Sequence, residues 1–222
     1  MSFSVAIDGP AGSGKSTITK KVAEDLKFNY VDTGALYRSL TYNFLQNNLK
    51  KLEEEKIKNI LEKTKIKVLF DGSNQRQLIN GEDVTEKIRT KEISKYASLF
   101  AKSKNVRYYL ITIQRNLAKK ENVIMDGRDI GSVVLPNADV KIFLTASVDE
   151  RAKRRFNELK EKSLSLEEIK EEIKKRDFQD KNRQIAPLKK TDDAIEIDST
   201  FLTIKEVVDK IKNIILKAKE VK

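Results

Sequence analysis

At 222 residues, with no cysteine and no histidine, the chain can bury a substantial core but has no disulfide framework and no thiolate or imidazole metal site. Its chemistry must run on Asp, Glu, Lys, Arg and backbone groups, which removes serine-protease, zinc-hydrolase and cysteine-nucleophile mechanisms. Lys and Arg number 45 against 34 Asp and Glu, a net charge of +11 that attracts polyanions of any kind.

Along the chain, Phe3 to Ile7 is a short apolar run closed by Asp8-Gly9-Pro10, and Ser16 to Leu26 carries Ile18, Val22 and Leu26 at helical spacing. This predicts strand, glycine loop, helix. Residues 28–31 predict a second strand, followed by a loop and helix from Asp32 toward Asn48 and an amphipathic helix over 52–63. Between 66 and 84 the period changes. Ile66 to Phe70 and Gln77 to Asn80 are strand-like, Asp71-Gly72 turns between them, and Gly81-Glu82 leads into a third short piece, so a small antiparallel sheet is inserted. Helical patterns occupy about 85–121. Two strongly apolar strands follow, Val123 to Met125 and Val140 to Leu144, of the kind found in a sheet covered on both faces. From Asp149 to Lys190 the sequence is dense in charge, with helical runs at 150–160 and 166–178 but few apolar anchors. Ala194 to Ile197 predicts a last strand. Ile204, Val207, Val208, Ile211, Ile214 and Ile215 then share one face of a C-terminal helix. Strands alternating with helices predict an α/β fold around a parallel sheet.

Gly9-Pro10-Ala11-Gly12-Ser13-Gly14-Lys15-Ser16, continued by Thr17, fits the phosphate-loop pattern at the strand-to-helix junction the pattern requires. Glycines let the backbone curl so that successive N–H groups point inward, and the following helix adds the positive end of its dipole. Lys15 is expected on the β- and γ-phosphates of ATP and the Ser16 hydroxyl on Mg²⁺. Asp8 and Asp126, each at a strand end, are equal candidates to assist the metal or merely to accept loop N–H bonds.

Five stretches carry a resemblance to the bacterial cytidylate kinases over the whole length. They are Ile7-Asp8-Gly9-Pro10 with the phosphate loop, Val31 through Arg38, Gly81-Glu82-Asp83-Val84 through Ile88-Arg89-Thr90, Asp126-Gly127-Arg128-Asp129-Ile130-Gly131, and Arg176 through Asn182-Arg183 with Ala186-Pro187-Leu188. The resemblance implies a three-layer P-loop NTPase-like core (1–37, 105–148 and 190–222), a monophosphate-binding insertion (38–104) and a helical lid (149–189). It implies transfer of the γ-phosphoryl group of ATP to CMP or dCMP, with UMP, AMP or dTMP as the alternative acceptors. By the same resemblance Arg38 and Arg128 hold the acceptor phosphate, where a planar fork can grip two oxygens. Ser98, Arg107 and Asp129 select the base: Asp129 accepts from the cytosine amino group and faces uracil's oxygen unfavourably. Thr33 places the acceptor, Arg176 and Asp180 contact the sugar, and Arg154, Arg176 and Arg183 lie over the phosphates. Lys15, Arg128, Arg154 and Arg183 are thereby the candidates for catalysis. The family's usual form is a monomer.

The lysines are dispersed, and neither a stacking sheet of the RNP type nor a compact basic helix is present, so no nucleic-acid partner is expected. No apolar run reaches 18 residues and the N-terminus has no export pattern, from which we expect a cytoplasmic protein without a membrane partner.

Overall fold

A computed structural model describes residues 2–71, 74–158 and 164–221. Position 72 of the turn expected at 71–72 and the end of the helix expected over 150–160 lie outside the described residues. Five strands form one parallel sheet: β1 (Ser4–Asp8), β2 (Asn29–Asp32), β6 (Val123–Gly127), β7 (Val140–Thr145) and β8 (Ile195–Asp198), in the order β2-β6-β1-β7-β8.

The strand period explains why both faces are covered. Phe3, Val5 and Ile7 point to one side, where they pack with Ile18 and Val22 of α1 (Lys15–Leu26) and Val207, Val208, Ile211 and Ile215 of α8 (Ile204–Val221). Ala6, Val123 and Met125 point to the other, against Leu36, Leu40 and Phe44 of α2 (Thr33–Gln46) and Val106 and Leu110 of α5 (Lys104–Lys120). With each strand buried on both faces, unbroken apolar runs replace alternation.

The inserted sheet is antiparallel, β3 (Ile66–Asp71) on β4 (Asn74–Ile79) on β5 (Glu82–Asp83). Asn80 and Gly81 join the last two with φ of 50° and 91°, the paired left-handed values that let a two-residue turn follow the strands' twist. Ile79, Val84, Ile88 and Ile93 bury against Ala35, which fastens this sheet to α2. Leu40, Phe44, α3 (Glu54–Glu62) and Phe100 share an apolar cluster with the main sheet, so packing is continuous across position 38.

The helical pattern expected from about 85 differs in detail. Residues 85–88 turn, Thr90 caps α4 (Lys91–Phe100) by accepting from the Ile93 N–H, and Ser103 caps α5 by accepting from Val106. Two hydroxyl caps therefore split one apolar periodicity into two helices. In the charged segment, α6 (Val148–Glu158) and α7 (Leu166–Asn182) close on a small cluster of Ala152, Ile169 and Ile173. α7 opens with a capping box between Ser165 and Glu168.

Candidate active site

The ends of β1, β2 and β6 meet at the glycine loop, which is where ligands sit in open α/β sheets. Gly9 is required by space: a Cβ there would lie 2.0 Å from the Leu144 carbonyl oxygen. Gly14, at φ 85°, begins α1 with no side-chain cap and no acidic residue in the first turn, unlike α2, α4, α5 and α7, whose first N–H groups are capped. The dipole and free donors of α1 are thus left for an anion. Ser13 is buried, and Lys15 folds back so that Nζ donates to Pro10 O at 2.6 Å and reaches Ser13 Oγ at 3.3 Å. Burial, and then the positive charge of Arg128, hold the Lys15 pKa well below its ordinary value. Phosphate oxygens placed beside it would reverse that shift.

Ser16 Oγ donates to Asp126 Oδ2 at 2.8 Å, and Tyr30 OH donates to Asp126 Oδ1 at 3.0 Å. Burial, followed by the nearby negative charge of Asp32, pushes the Asp126 carboxyl up to about 6. A buried carboxylate bonded to two hydroxyls and in no ion pair among the described residues suits a hard divalent cation. No group of three or more acidic side chains able to hold a metal occurs among the described residues, so such an ion would depend on phosphate and water for its other ligands. Asp8 is used differently. Its two oxygens accept from Ile130 N at 2.8 Å and Gly131 N at 2.7 Å, clamping the π-helical turn over Ile130–Val134 to the end of β1. Burial pushes Asp8 up to about 6 despite these bonds.

The candidate acceptor residues converge from four elements. Arg38 on α2 pairs with Asp32 at 2.9 Å, and Asp32 also caps α2 by accepting from Ala35 N. Arg128, just past β6, donates through Nε to Asp180 of α7 at 2.8 Å. Arg176 lies on the exposed side of α7 yet is hemmed in. Desolvation first, then the charges of Arg128, Arg155 and Arg38, pull its pKa down. Arg38, Arg89 and Arg155 line a cavity of about 630 Å³ between the inserted unit and α7.

Asp129 and Arg107 form a buried ion pair, and Asp129 also accepts from Arg183 NH2 at 3.1 Å. Tyr37 lies partly buried beside them, and desolvation pushes its hydroxyl up to about 12.

Several placements differ from what the sequence suggested. Ser98 sits on the exposed face of α4, its hydroxyl donating to Ser94 O at 3.4 Å within the helix, apart from the Arg107–Asp129 pair. Asp180 is held by Arg128, and its charge also acts on Arg176. Arg183 bonds Asp129 and the Ala186 carbonyl instead of facing the glycine loop. Thr33 donates to the Asp126 carbonyl at 2.7 Å, bracing β2 against β6. Arg154 bonds Glu150 and Ser199, with NH1 3.7 Å from where a Cβ on Gly14 would stand. Arg151 hydrogen-bonds the loop itself, donating to Ala11 O at 3.0 Å. Sequence reasoning missed Arg151, Tyr30 and Tyr37. Nothing in a charged helix distinguishes the one arginine that is buried, and the tyrosines read as ordinary core.

A glycine loop at the end of the central strand, an uncapped helix behind it and a ring of arginines across from it define a P-loop kinase, a protein that transfers phosphoryl groups using a nucleotide. The model of one family, "Cytidylate kinase", matches residues 5–217, and the chain belongs to that family. The cytidylate kinase of Caldicellulosiruptor saccharolyticus is 51% identical over 217 residues, covering 97% of this chain and 96% of the relative. That of Bacillus subtilis is 51% identical over 211 residues, 94% of each chain. An uncharacterized protein from Eubacterium ventriosum has the same fold, with a TM-score of 0.54 at 15% identity over 98% of this chain and 99% of that one. No helix among the described residues is long and apolar enough to cross a membrane.

Proposed function

We propose that this chain transfers the γ-phosphoryl group of ATP to CMP and dCMP by direct in-line attack, with ATP on residues 9–17 and the acceptor between α2, α4 and the lid. Residues 1–37, 105–148 and 190–222 act as the core, 38–104 as the acceptor-binding insertion and 149–189 as the lid. The observation that carries the base preference is the buried pair of Asp129 and Arg107. A carboxylate accepts from the cytosine N4 amino group, and a guanidinium donates to its ring acceptors; uracil presents an acceptor where Asp129 needs a donor.

Lys15, Arg128, Arg154 and Arg183 serve catalysis by positive charge and alignment, since phosphoryl transfer asks little covalent chemistry of the protein. Arg38 and Arg128 grip the acceptor phosphate, Thr33 positions it, and Arg176 and Asp180 lie at the sugar. Arg183 must leave Asp129 to reach a transferring group, a movement that closure of the lid over both nucleotides supplies. Ser98 contributes to base recognition only if α4 turns toward Arg107 on closure. Mg²⁺, held through Ser16 with Asp126 in support, neutralises charge on the donor's phosphate oxygens. Asp8 is left as the clamp on the 130–134 turn.

A coupled assay over CMP, dCMP, UMP and AMP tests the reading. CMP and dCMP should be far the better acceptors, and Asp129→Asn should lose roughly 1–3 kcal/mol of the preference for CMP over UMP. Equal kcat/KM for all four acceptors in the unmodified enzyme would overturn it.

A further inference from the structure

Buried Arg151 forms an ion pair with partly buried Asp177, and none of the roles above uses it. Arg151 is only 4% exposed, and each guanidinium nitrogen is committed to a different element. Nε donates to Ala146 O at the end of β7 at 2.9 Å, NH1 to Ala11 O in the glycine loop at 3.0 Å, and NH2 pairs with Asp177 of α7 at 2.7 Å. Its stem packs on Gly12, where a Cβ would come within 3.4 Å of the Arg151 Cβ. The second Asp177 oxygen is buried with no partner among the described residues. As a mere staple this arrangement is expensive, because a buried guanidinium and a largely covered carboxylate lose hydration and well-packed apolar residues hold helices together equally well.

The placement offers another reason for it. On α7, Asp177 lies between Arg176 and Asp180 and is one turn from Asp180, which holds Arg128. One helix therefore bears on the donor loop through Asp177 and on the acceptor arginines through Arg176 and Asp180. We propose that the Arg151–Asp177 pair is a positioning couple that makes acceptor affinity depend on occupancy of the donor loop. A phosphate seated on the loop fixes the Ala11 carbonyl, Arg151 carries that fixation to Asp177, and α7 is held where Asp180 aims Arg128. Thermodynamic linkage makes the effect reciprocal. The inference rests on the reading of ATP on the loop and CMP opposite it.

Calorimetric titration of the full chain with CMP, with and without a saturating non-hydrolysable ATP analogue and Mg²⁺, measures the coupling as a ratio of two dissociation constants. In the unmodified enzyme the analogue should tighten CMP by about 5-fold or more, the lower end of ordinary couplings. Asp177→Asn should bring that ratio close to one. Should Asp177→Asn fail to fold by circular dichroism, Arg151→Lys decides, since a lysine keeps the charge but cannot serve Ala146, Ala11 and Asp177 together. A purely structural role weakens CMP equally in both conditions, so an unchanged ratio in a folded variant overturns the proposal. So does CMP binding that is indifferent to the analogue in the unmodified enzyme. CMP that binds in neither condition sinks the acceptor reading itself, and the coupling falls with it.

Discussion

Asp126 joins three structural facts to one titration. It is buried, it accepts from Ser16 and Tyr30, and Asp32 stands near enough to raise its pKa further, which leaves the carboxyl protonated in the free protein up to about pH 6. A divalent cation binds the ionised form only, so protons and metal compete. The acid limb of kcat/KM for MgATP should therefore fall as pH drops through about 6, and more Mg²⁺ should move the limb to lower pH. Asp126→Asn should be slower and lack the limb; a limb that persists in that variant would refute the assignment. Stability of the free chain runs in the other sense. Asp8 and Asp126 both have folded pKa values raised from 3.8 to about 6. Their contribution is full below about pH 4 and is lost as pH rises through 6, because over that interval the unfolded chain gives up protons that the folded chain retains.

The charged helix pair α6 and α7 shows how little apolar surface can hold two helices in register. Ala152, Ile169 and Ile173, with Val148, Phe156 and Leu164 around them, form its only apolar cluster among the described residues. Truncating a buried isoleucine to alanine costs about 2–5 kcal/mol, comparable to all that so small a cluster supplies. Ile173→Ala should therefore speed amide exchange throughout α6 and α7 while β1 and β6 keep their protection, and should lower kcat. Loss of protection in β1 would mean that this helix pair and the main sheet melt as one. The elements themselves were largely legible, because β1, β6 and β7 are apolar runs bracketed by turn residues and α8 carries an unbroken stripe. The split of α4 from α5 was hidden, because Thr90 and Ser103 act as caps only when their φ and ψ are known. In the site, the glycine loop was readable from spacing, whereas partners such as Arg128 with Asp180 depend on a fold that brings positions 52 residues apart into contact.

Across the whole molecule, the excess of +11 is not spread evenly. Surface lysines find acids nearby, as in Lys56 with Glu53, Lys170 with Asp149, Lys174 with Glu171 and Lys190 with Glu196. Around the cleft the balance differs: burial first and then the charges of Arg128, Arg155 and Arg38 depress the pKa of Arg176, and burial followed by Arg128 and Arg176 depresses that of Lys15. Like charges so arranged destabilise the ligand-free molecule, and phosphate groups that settle among them relieve the repulsion. A ligand at about 100 times its Kd adds roughly 2.7 kcal/mol of stability. For a chain of this size that converts to a rise in Tm of about 5–10 °C. CMP or a non-hydrolysable ATP analogue, each alone at about 100 times its Kd, should produce such a rise at low salt. Half-molar sodium chloride should by itself raise the Tm of the free protein and shrink the increment from nucleotides, since at that ionic strength charges more than about 5 Å apart are largely screened. A nucleotide increment unchanged by salt would show that burial of the base and sugar, and not the arginine ring, supplies the binding energy.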